Sequence, residues 1–203
     1  MPDRHSKHDP ELDRELIALS AGGDRRAFDR LVERHAAAVL RLAIALTDDT
    51  ASAEDALQQT FLSAYRSAAS FRADASVRTW LLRIARNTAY RLAAKRGRED
   101  LMEEALMTLG IDAGWGSDDP EAMAMAAERR ESLRRALNDL PAADREVLIL
   151  RDIEGLRGSE AAEVIGIGEP ALKSRLHRAR LKLAVALRSS VHADATETEG
   201  GAP

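Results

Sequence analysis

The chain has 203 residues, a formal net charge of −4 and a pI near 5.8. Hydrophobic residues make up 45% of it and aromatics only 3%, with no cysteine. That excludes disulfides, thiolate nucleophiles and Cys-ligated zinc. It also favours helix, because the abundant Ala, Leu, Arg and Glu lose little rotamer freedom there. Runs of β-branched and aromatic residues bounded by turns are missing, so the expected fold class is all-α. The charged opening MPDRHSKHDPELDREL has no apolar run of signal-peptide type. No apolar stretch approaches the ~20 residues that a spanning helix needs. A soluble, cytoplasmic protein without membrane insertion is expected.

Residues 1–11 are polar and patternless and are expected to lack fixed structure. A first helical block then runs over 12–98. Phe28, Leu31, Val32, His35, Val39, Leu42 and Leu46 recur at i, i+3, i+4 and i+7 and define one apolar helix face. Asp48-Asp49-Thr50 breaks it. The next segment, ASAEDALQQTFLSAYRSA, turns Ala53, Ala56, Leu57, Thr60, Phe61 and Ala64 inward and Glu54, Asp55, Gln58 and Gln59 outward. SFRADAS reads as a loop. A third helix follows in VRTWLLRIARNTAYRLAAKRGR, with Trp80, Leu81, Ile84, Thr88 and Leu92 as its stripe. Its other faces carry Arg83, Arg86, Arg91, Lys95, Arg96 and Arg98.

Between Glu99 and Glu128 there is no Lys or Arg. Gly110, Gly114, Gly116 and Pro120 interrupt helix there, so 99–127 is expected to be a flexible acidic linker, with a short helix at Leu101–Leu109 and Trp115 in its middle. A second helical block covers 128–188. Its first helix ends at Pro141, and its second, AADREVLILRDIEG, ends at Gly155. Ala162, Gly166 and Leu172 then supply a close crossing, a turn of positive φ and an apolar anchor, the pattern of a helix-turn-helix. Residues 189–203, SSVHADATETEGGAP, are again patternless and expected to lack fixed structure.

The helix Ala171 to Arg188 concentrates Lys and Arg with no acidic residue. On a helical wheel Leu172, Leu176, Ala179, Leu183 and Leu187 form a narrow packing stripe, while Lys173, Ser174, His177 and Arg178 spread opposite. A membrane-surface helix would present a broad face with Trp or Phe. A merely solvated helix would interleave Glu to gain i,i+4 pairs. Uncompensated cations after a helix-turn-helix signature instead fit a polyanion, with the N-terminal residues of the helix reading base edges. His5, His8, His35, His177 and His192 stand at no metal-ligand or triad spacing. No enzyme activity, metal or cofactor is expected.

SAEDALQQTF, WLLRIARN, LPAADREVLILRDIEGL and EAAEVIGI…LKSRLHRAR occur in the order found in bacterial RNA polymerase sigma factors of the extracytoplasmic-function group, which the chain resembles over both helical blocks. The resemblance implies two small helical domains and a factor that binds core RNA polymerase through its β′ and β subunits. It further implies recognition of promoter DNA at the −10 and −35 elements, help in melting it, and restraint by an anti-sigma factor. For core polymerase, Glu54, Asp55, Gln58 and Phe61 match, with Ser52 and Gln59 replacing frequent acidic residues; Phe61 also suits a core position. For the −10 element, the resemblance implies a base pocket from Phe71, Arg72, Asp74 and Ser76, a base contact from Asn87, and phosphate neutralisation by Arg83, Arg86, Arg91, Lys95 and Arg96. Family members often carry Asp where Arg91 stands. For the −35 element, Lys173, Ser174, His177 and Arg178 match base-facing positions, with Arg151 and Arg175 on the backbone. The usual Ser before the recognition helix is Gly168, and Pro170 sits in its first turn, where a missing N–H costs little. A stand-alone helix-turn-helix regulator would explain the second block alone.

Overall fold

Three aspartates set the starts of the first three helices. In the computed structural model, which describes residues 9–47, 49–96, 129 and 131–199, Asp9, Asp24 and Asp49 each turn a carboxylate oxygen back onto free backbone N–H groups. Asp9 accepts from Glu11 and Leu12, Asp24 from Arg26 and Ala27 at 2.9 and 3.2 Å, and Asp49 from Ser52 at 2.7 Å. These are the orphan donors of a helix end, and each such cap is worth about 1 kcal/mol. The helices so started are α1 (Pro10–Ala21), α2 (Arg25–Leu46) and α3 (Thr50–Ser67), the last followed by one tight turn at Ala68–Ser70.

Helix α4 (Val77–Arg96) follows the loop 71–76, and α5 covers 131–138. Helix α6 (Ala142–Leu148) widens into a π-type turn at Ile149–Ile153. Helices α7 (Gly158–Ile165) and α8 (Glu169–Glu199) complete the described chain, which contains no strand. The all-α expectation holds. Helix α1 begins at Pro10, inside the stretch expected to be patternless, because Asp9 caps it and Pro is preorganised for a first turn. Helix α8 continues to Glu199, past the end at 188 expected for the second block. SSVHADATETE holds neither Gly nor Pro, so nothing before Gly200 ends the helix. The expected linker 99–127, with Trp115, lies outside the described residues.

The first four helices surround a core built on α2, where Leu31, Val39 and Leu42 have almost no exposed surface. Ala53, Ala56 and Ala64 of α3 and Ala85 and Ala89 of α4 are also fully buried. Their small side chains let these helices approach α2 closely. The inward face of α4 is rotated from the expected stripe. Val77, Leu81, Leu82, Ala85 and Ala89 are buried, with Thr79 and Thr88, whereas Trp80, Ile84 and Leu92 are half-buried at its edge. The reason is tertiary: α4 packs against α2 and α3 and also against α7 of the second block.

The second block buries Val147, Leu148, Ile149 and Leu150 beside Ala161, Ala162, Leu172, Leu176 and Ala179. Gly166 adopts φ 78° and ψ 37°, and its N–H donates to the Ala162 carbonyl at 2.8 Å. The helix-turn-helix read from Ala162, Gly166 and Leu172 is therefore present. The Gly168 carbonyl accepts the first helical bond from Leu172, and Pro170 occupies the first turn of α8, as expected.

A buried acid joins α1 to α2. Asp13 receives Nε of Arg34 at 2.6 Å and lies 3.0 Å from Nε2 of His35, itself wholly buried. Burial alone would raise the Asp13 carboxyl, but the hydrogen bonds and charges of His35 and Arg34 outweigh it and hold it below the ordinary carboxylate value. A depressed acid contributes stability above its ordinary value and loses it as pH falls through the depressed one. Asp13→Asn is thus expected to cost about 3 kcal/mol, the scale for breaking a buried pair. In denaturant unfolding below pH 4, the gap between this variant and the parent should narrow.

Candidate nucleic-acid interface

The loop before α4 carries the first candidate site. Phe71, Arg72 and Asp74 line a concavity of about 290 Å³ together with Ser70, Ala73, Ala75, Trp80, Arg83 and Glu163. The Phe71 and Trp80 rings lie 5.2 Å apart and form its apolar wall. Trp80 thus faces this concavity instead of the centre of the core. Ala73 takes φ 56°, a left-handed conformation that costs a non-glycine residue about 1 kcal/mol. Ser76 stands apart from the lining. Its Oγ accepts from the Thr79 N–H at 3.0 Å and pairs with Thr79 Oγ1 at 2.8 Å, so it starts α4.

Along α4, Arg83, Asn87 and Arg91 are exposed, one turn apart on a common face. Arg91 donates to Gln59 of α3 at 2.9 Å, which braces that face. Lys95 and Arg96 fall in the last turn, where their side chains, like Arg98, lie outside the described residues. Arg86 is half-buried and lies off that face. It points toward the second block and donates to Glu146 at 2.6 Å, with its guanidinium 4.7 Å from the Tyr90 ring centre.

On α8, Lys173, Ser174, His177 and Arg178 are all exposed and Arg175 is half-buried. Leu172, Leu176 and Ala179 seat the helix on its neighbours, so the packing stripe and basic face read from the sequence are separated as expected. Arg151 donates to the Leu156 carbonyl, closing the turn after the π-type segment. Arg180 forms a two-pronged pair with Asp152 at 3.0 and 2.5 Å, and Lys182 meets Asp144 at 2.5 Å. These two cations brace α8 against the rest of its block.

On α3 the exposed face carries Glu54, Asp55 and Gln58, and continues to Leu62 and Tyr65, 54% and 37% exposed. Phe61 does not belong with them. It is buried and meets the Phe28 ring edge-on at 6.3 Å, so its place is the core. Leu62 and Tyr65 were missed, although the helical spacing from Asp55 and Gln58 puts them on the same side.

The two blocks meet through carboxylates of the second held by arginines of the first. Glu154, with its side chain 1% exposed, accepts from Arg41 at 2.5 Å and from Arg78, whose other amine donates to the Glu154 carbonyl at 2.8 Å. Glu146, wholly buried, holds Arg86 and accepts from the Tyr90 hydroxyl at 3.2 Å. Arg83 reaches Glu163 at 3.4 Å, at the edge of the aromatic concavity. Arg145 crosses the other way and donates to the Ala45 carbonyl at 2.9 Å. None of these pairings had a signal in the sequence, because the partners are 56 to 113 residues apart.

Helical architecture, a helix-turn-helix and two separate basic faces define a two-part, all-helical DNA-binding class. Comparison with known proteins is specific. Residues 31–99 match the family model "Sigma-70 region 2" and residues 130–183 match "Sigma-70, region 4". The chain is 33% identical over 183 residues to the RNA polymerase sigma-H factor of Pseudomonas aeruginosa, spanning 88% of this chain and 95% of that one. It is 36% identical over 181 residues to the ECF RNA polymerase sigma factor SigM of Mycobacterium tuberculosis, spanning 89% and 85%. Among solved structures it is similar to CnrH in complex with the cytosolic domain of CnrY, with 30% identity, a TM-score of 0.63, and 88% and 98% of the two chains covered. The sigma factor RpoE in complex with the anti-sigma factor NepR from Bartonella quintana gives 29% identity and a TM-score of 0.61, covering 79% and 96%. The chain belongs to the extracytoplasmic-function group of RNA polymerase sigma factors. It is an alternative sigma factor, a DNA-binding transcription initiation factor whose partners are core RNA polymerase and promoter DNA.

The Glu146 contact sets a pH dependence. Burial pushes its carboxyl above the ordinary value, and the Arg86 charge, the hydrogen bonds from Arg86 and Tyr90, and the Arg175 charge pull it back only in part. The Tyr90 hydroxyl is pushed up to about 12 by its own burial and by the Glu146 charge. An acid with a raised folded pKa binds its proton more tightly when folded, so its contribution falls as pH rises from the ordinary value through the raised one. Glu146→Gln is expected to remove that component. Unfolding midpoints measured from pH 4.5 to 8 should fall less steeply for the variant than for the parent.

Proposed function

We propose that the exposed face of α8 reads the −35 element, that α4 and the aromatic concavity before it take the −10 element, and that the outer face of α3 docks on core polymerase. The observation that carries this reading is the sorting of side chains on α8. Lys173, Ser174, His177 and Arg178 project outward from a helix whose opposite side is fixed by Leu172, Leu176 and Ala179. A rigid helix-turn-helix presenting cations and short polar groups at its leading end is matched in shape and charge to a major groove. In the other block, Phe71 and Trp80 offer π-faces for an unstacked base, and Arg83, Asn87 and Arg91 line the adjoining helix face. Glu54, Asp55 and Gln58 on α3 give directional acceptors for arginines of a partner helix, and Leu62 and Tyr65 add apolar area beside them.

The factor carries no reaction of its own; bond formation belongs to the polymerase. It works in the cytoplasm, and an anti-sigma factor restrains it; this reading is supported by the similar structure of the sigma factor RpoE in complex with the anti-sigma factor NepR. Among the described residues no helix is long and apolar enough to cross a membrane.

Reconstitution with core polymerase tests the assignment. The purified chain should direct promoter-dependent transcripts, whereas DNA binding with no transcript from core would defeat it. Lys173→Ala and Arg178→Ala should each weaken −35 recognition by about 1–3 kcal/mol in promoter titrations and leave core binding intact. Asp55→Arg should act in the opposite sense, lowering core association while free-chain DNA binding is kept. Adding Leu62→Asp should deepen the core-binding loss.

A further inference from the structure

The exposed cations of α8 fall into two kinds. Lys173 and Arg178 project from the side opposite the packing stripe. Arg180 and Lys182 are exposed as well, with side chains 56% and 53% accessible, yet each is held by an aspartate of the preceding elements. Arg180 gives Nε and one terminal amine to the two Asp152 oxygens, at 3.0 and 2.5 Å. An ordinary surface ion pair contributes little, but two parallel bonds to one carboxylate fix its geometry. Lys182 donates to Asp144 at 2.5 Å.

The two held cations flank the reading face. At about 100° per residue, Arg180 lies two turns beyond Lys173 on one flank, and Lys182 one turn beyond Arg178 on the other. A helix seated in a major groove about 12 Å wide has a phosphate wall on each side. Arg180 is therefore placed for the backbone but committed to a carboxylate.

We propose that Asp152 is a specificity-determining residue: it holds Arg180 off the DNA backbone and so keeps binding to non-promoter DNA weak. The inference rests on the reading of α8 as the −35 helix. Non-specific affinity is almost wholly electrostatic, and each phosphate neutralised steepens its logarithmic salt dependence by about 0.9. A cation already paired with a carboxylate adds no net charge against the DNA and displaces no counterion from it. To reach a phosphate, Arg180 must also give up two hydrogen bonds and leave Asp152 bare beside a polyanion. On a promoter the base contacts fix where α8 lies, whereas on other sequences it settles wherever phosphate contacts are most numerous. A freed Arg180 thus helps wrong sites more than the right one, and Asp152 works against the wrong sites.

The test separates this role from plain repulsion of DNA by an acid. Asp152→Asn frees Arg180. Asp152→Asn/Arg180→Gln has the parent's net charge and no cation to free. Asp139→Asn removes an exposed acid elsewhere in the same block and serves as the charge control. Each full-length chain is titrated over a salt series with a random-sequence duplex and with a promoter duplex that the reconstituted polymerase transcribes.

Asp152→Asn is expected to bind the random duplex about eightfold more tightly at about 0.1 M salt, with a slope steeper by about 0.9. The gain on the promoter should be smaller, so the preference between the two falls. The double variant and Asp139→Asn should stay at the parent's values. If the double variant keeps the tighter binding, Asp152 acts by repulsion alone and the proposal is overturned. An equal gain on both duplexes also overturns it, as does a parental slope in Asp152→Asn with helical signal and melting retained. Equal tightening by Asp139→Asn would do the same, because net charge then suffices. Should Asp152→Asn fail to fold, Asp152→Ser is compared with Asp152→Ser/Arg180→Gln in its place. A separate arm tests the reading beneath: Lys173→Ala with Arg178→Ala should weaken promoter binding. If neither this pair nor Asp152→Asn alters DNA binding, α8 is not the −35 helix. If the pair weakens binding and Asp152→Asn leaves it unchanged, the role of Asp152 alone fails.

Discussion

Glu146 has no exposed surface, and its ionised form is tolerable there only because Arg86 and Tyr90 come to it from another helix block. A buried carboxylate without a partner costs several kcal/mol, so the position of α4 against α6 is tied to this one contact. Its neighbour Glu154 repeats the arrangement with Arg41 and Arg78. Together the two acids fix which face of α4 meets the second block and which is left for solvent. The solvent-facing side carries Asn87 and Arg91, Arg83 stands at its border with the second block, and the half-buried edge carries Trp80. The chain's candidate DNA surface is thus defined partly by where its internal ion pairs are.

This explains why charge alone is a poor guide to contact in this protein. The arginines of α4 look equivalent along the sequence, yet Arg86 is committed internally, Arg91 is braced by Gln59, and Arg83 is shared with Glu163. The same sorting holds on α8. Arg180 and Lys182 are bound to Asp152 and Asp144, which fastens the helix, while Lys173 and Arg178 project outward. A basic helix needs some of its cations to hold it in place before the others can present themselves. Packing by Leu172, Leu176 and Ala179 does the rest, since burying such side chains contributes roughly 1.5–3 kcal/mol each for the leucines.

Much of the fold was legible from local rules. The break at Asp48-Asp49-Thr50, the Pro141 stop, the positive φ of Gly166 and the stripe of α2 are governed by neighbours within a turn or two, and the sequence shows those neighbours directly. Less was legible where a helix touches more than one partner. The stripe expected on α4 was Trp80, Leu81, Ile84, Thr88 and Leu92; Leu81 and Thr88 are buried, but Trp80, Ile84 and Leu92 lie half-buried at the edge, and Val77, Ala85 and Ala89 complete the seam. Small residues mark the closest approach between helices, whereas a pattern weighted by side-chain size points to the edge. Phe61 was open between core and contact for a related reason: its motif position is informative about family, and only packing against Phe28 decides where the ring goes.

By itself, the sequence determined that this is a cysteine-free, all-helical chain with a helix-turn-helix, an acidic and amide-rich face on one helix, and basic faces on two others. Four motifs in order identified the sigma-factor family, because each motif is short and local enough to be read without knowing the fold. The tertiary structure alone decided that the two blocks meet, that Glu146, Glu154 and Glu163 are the groups that meet them, and that Phe71 and Trp80 form one wall. Those pairings join residues far apart in the chain. Which carboxylate reaches which arginine depends on the angles at which α4, α6 and α7 pack, and helix periodicity carries no information about the angle between helices.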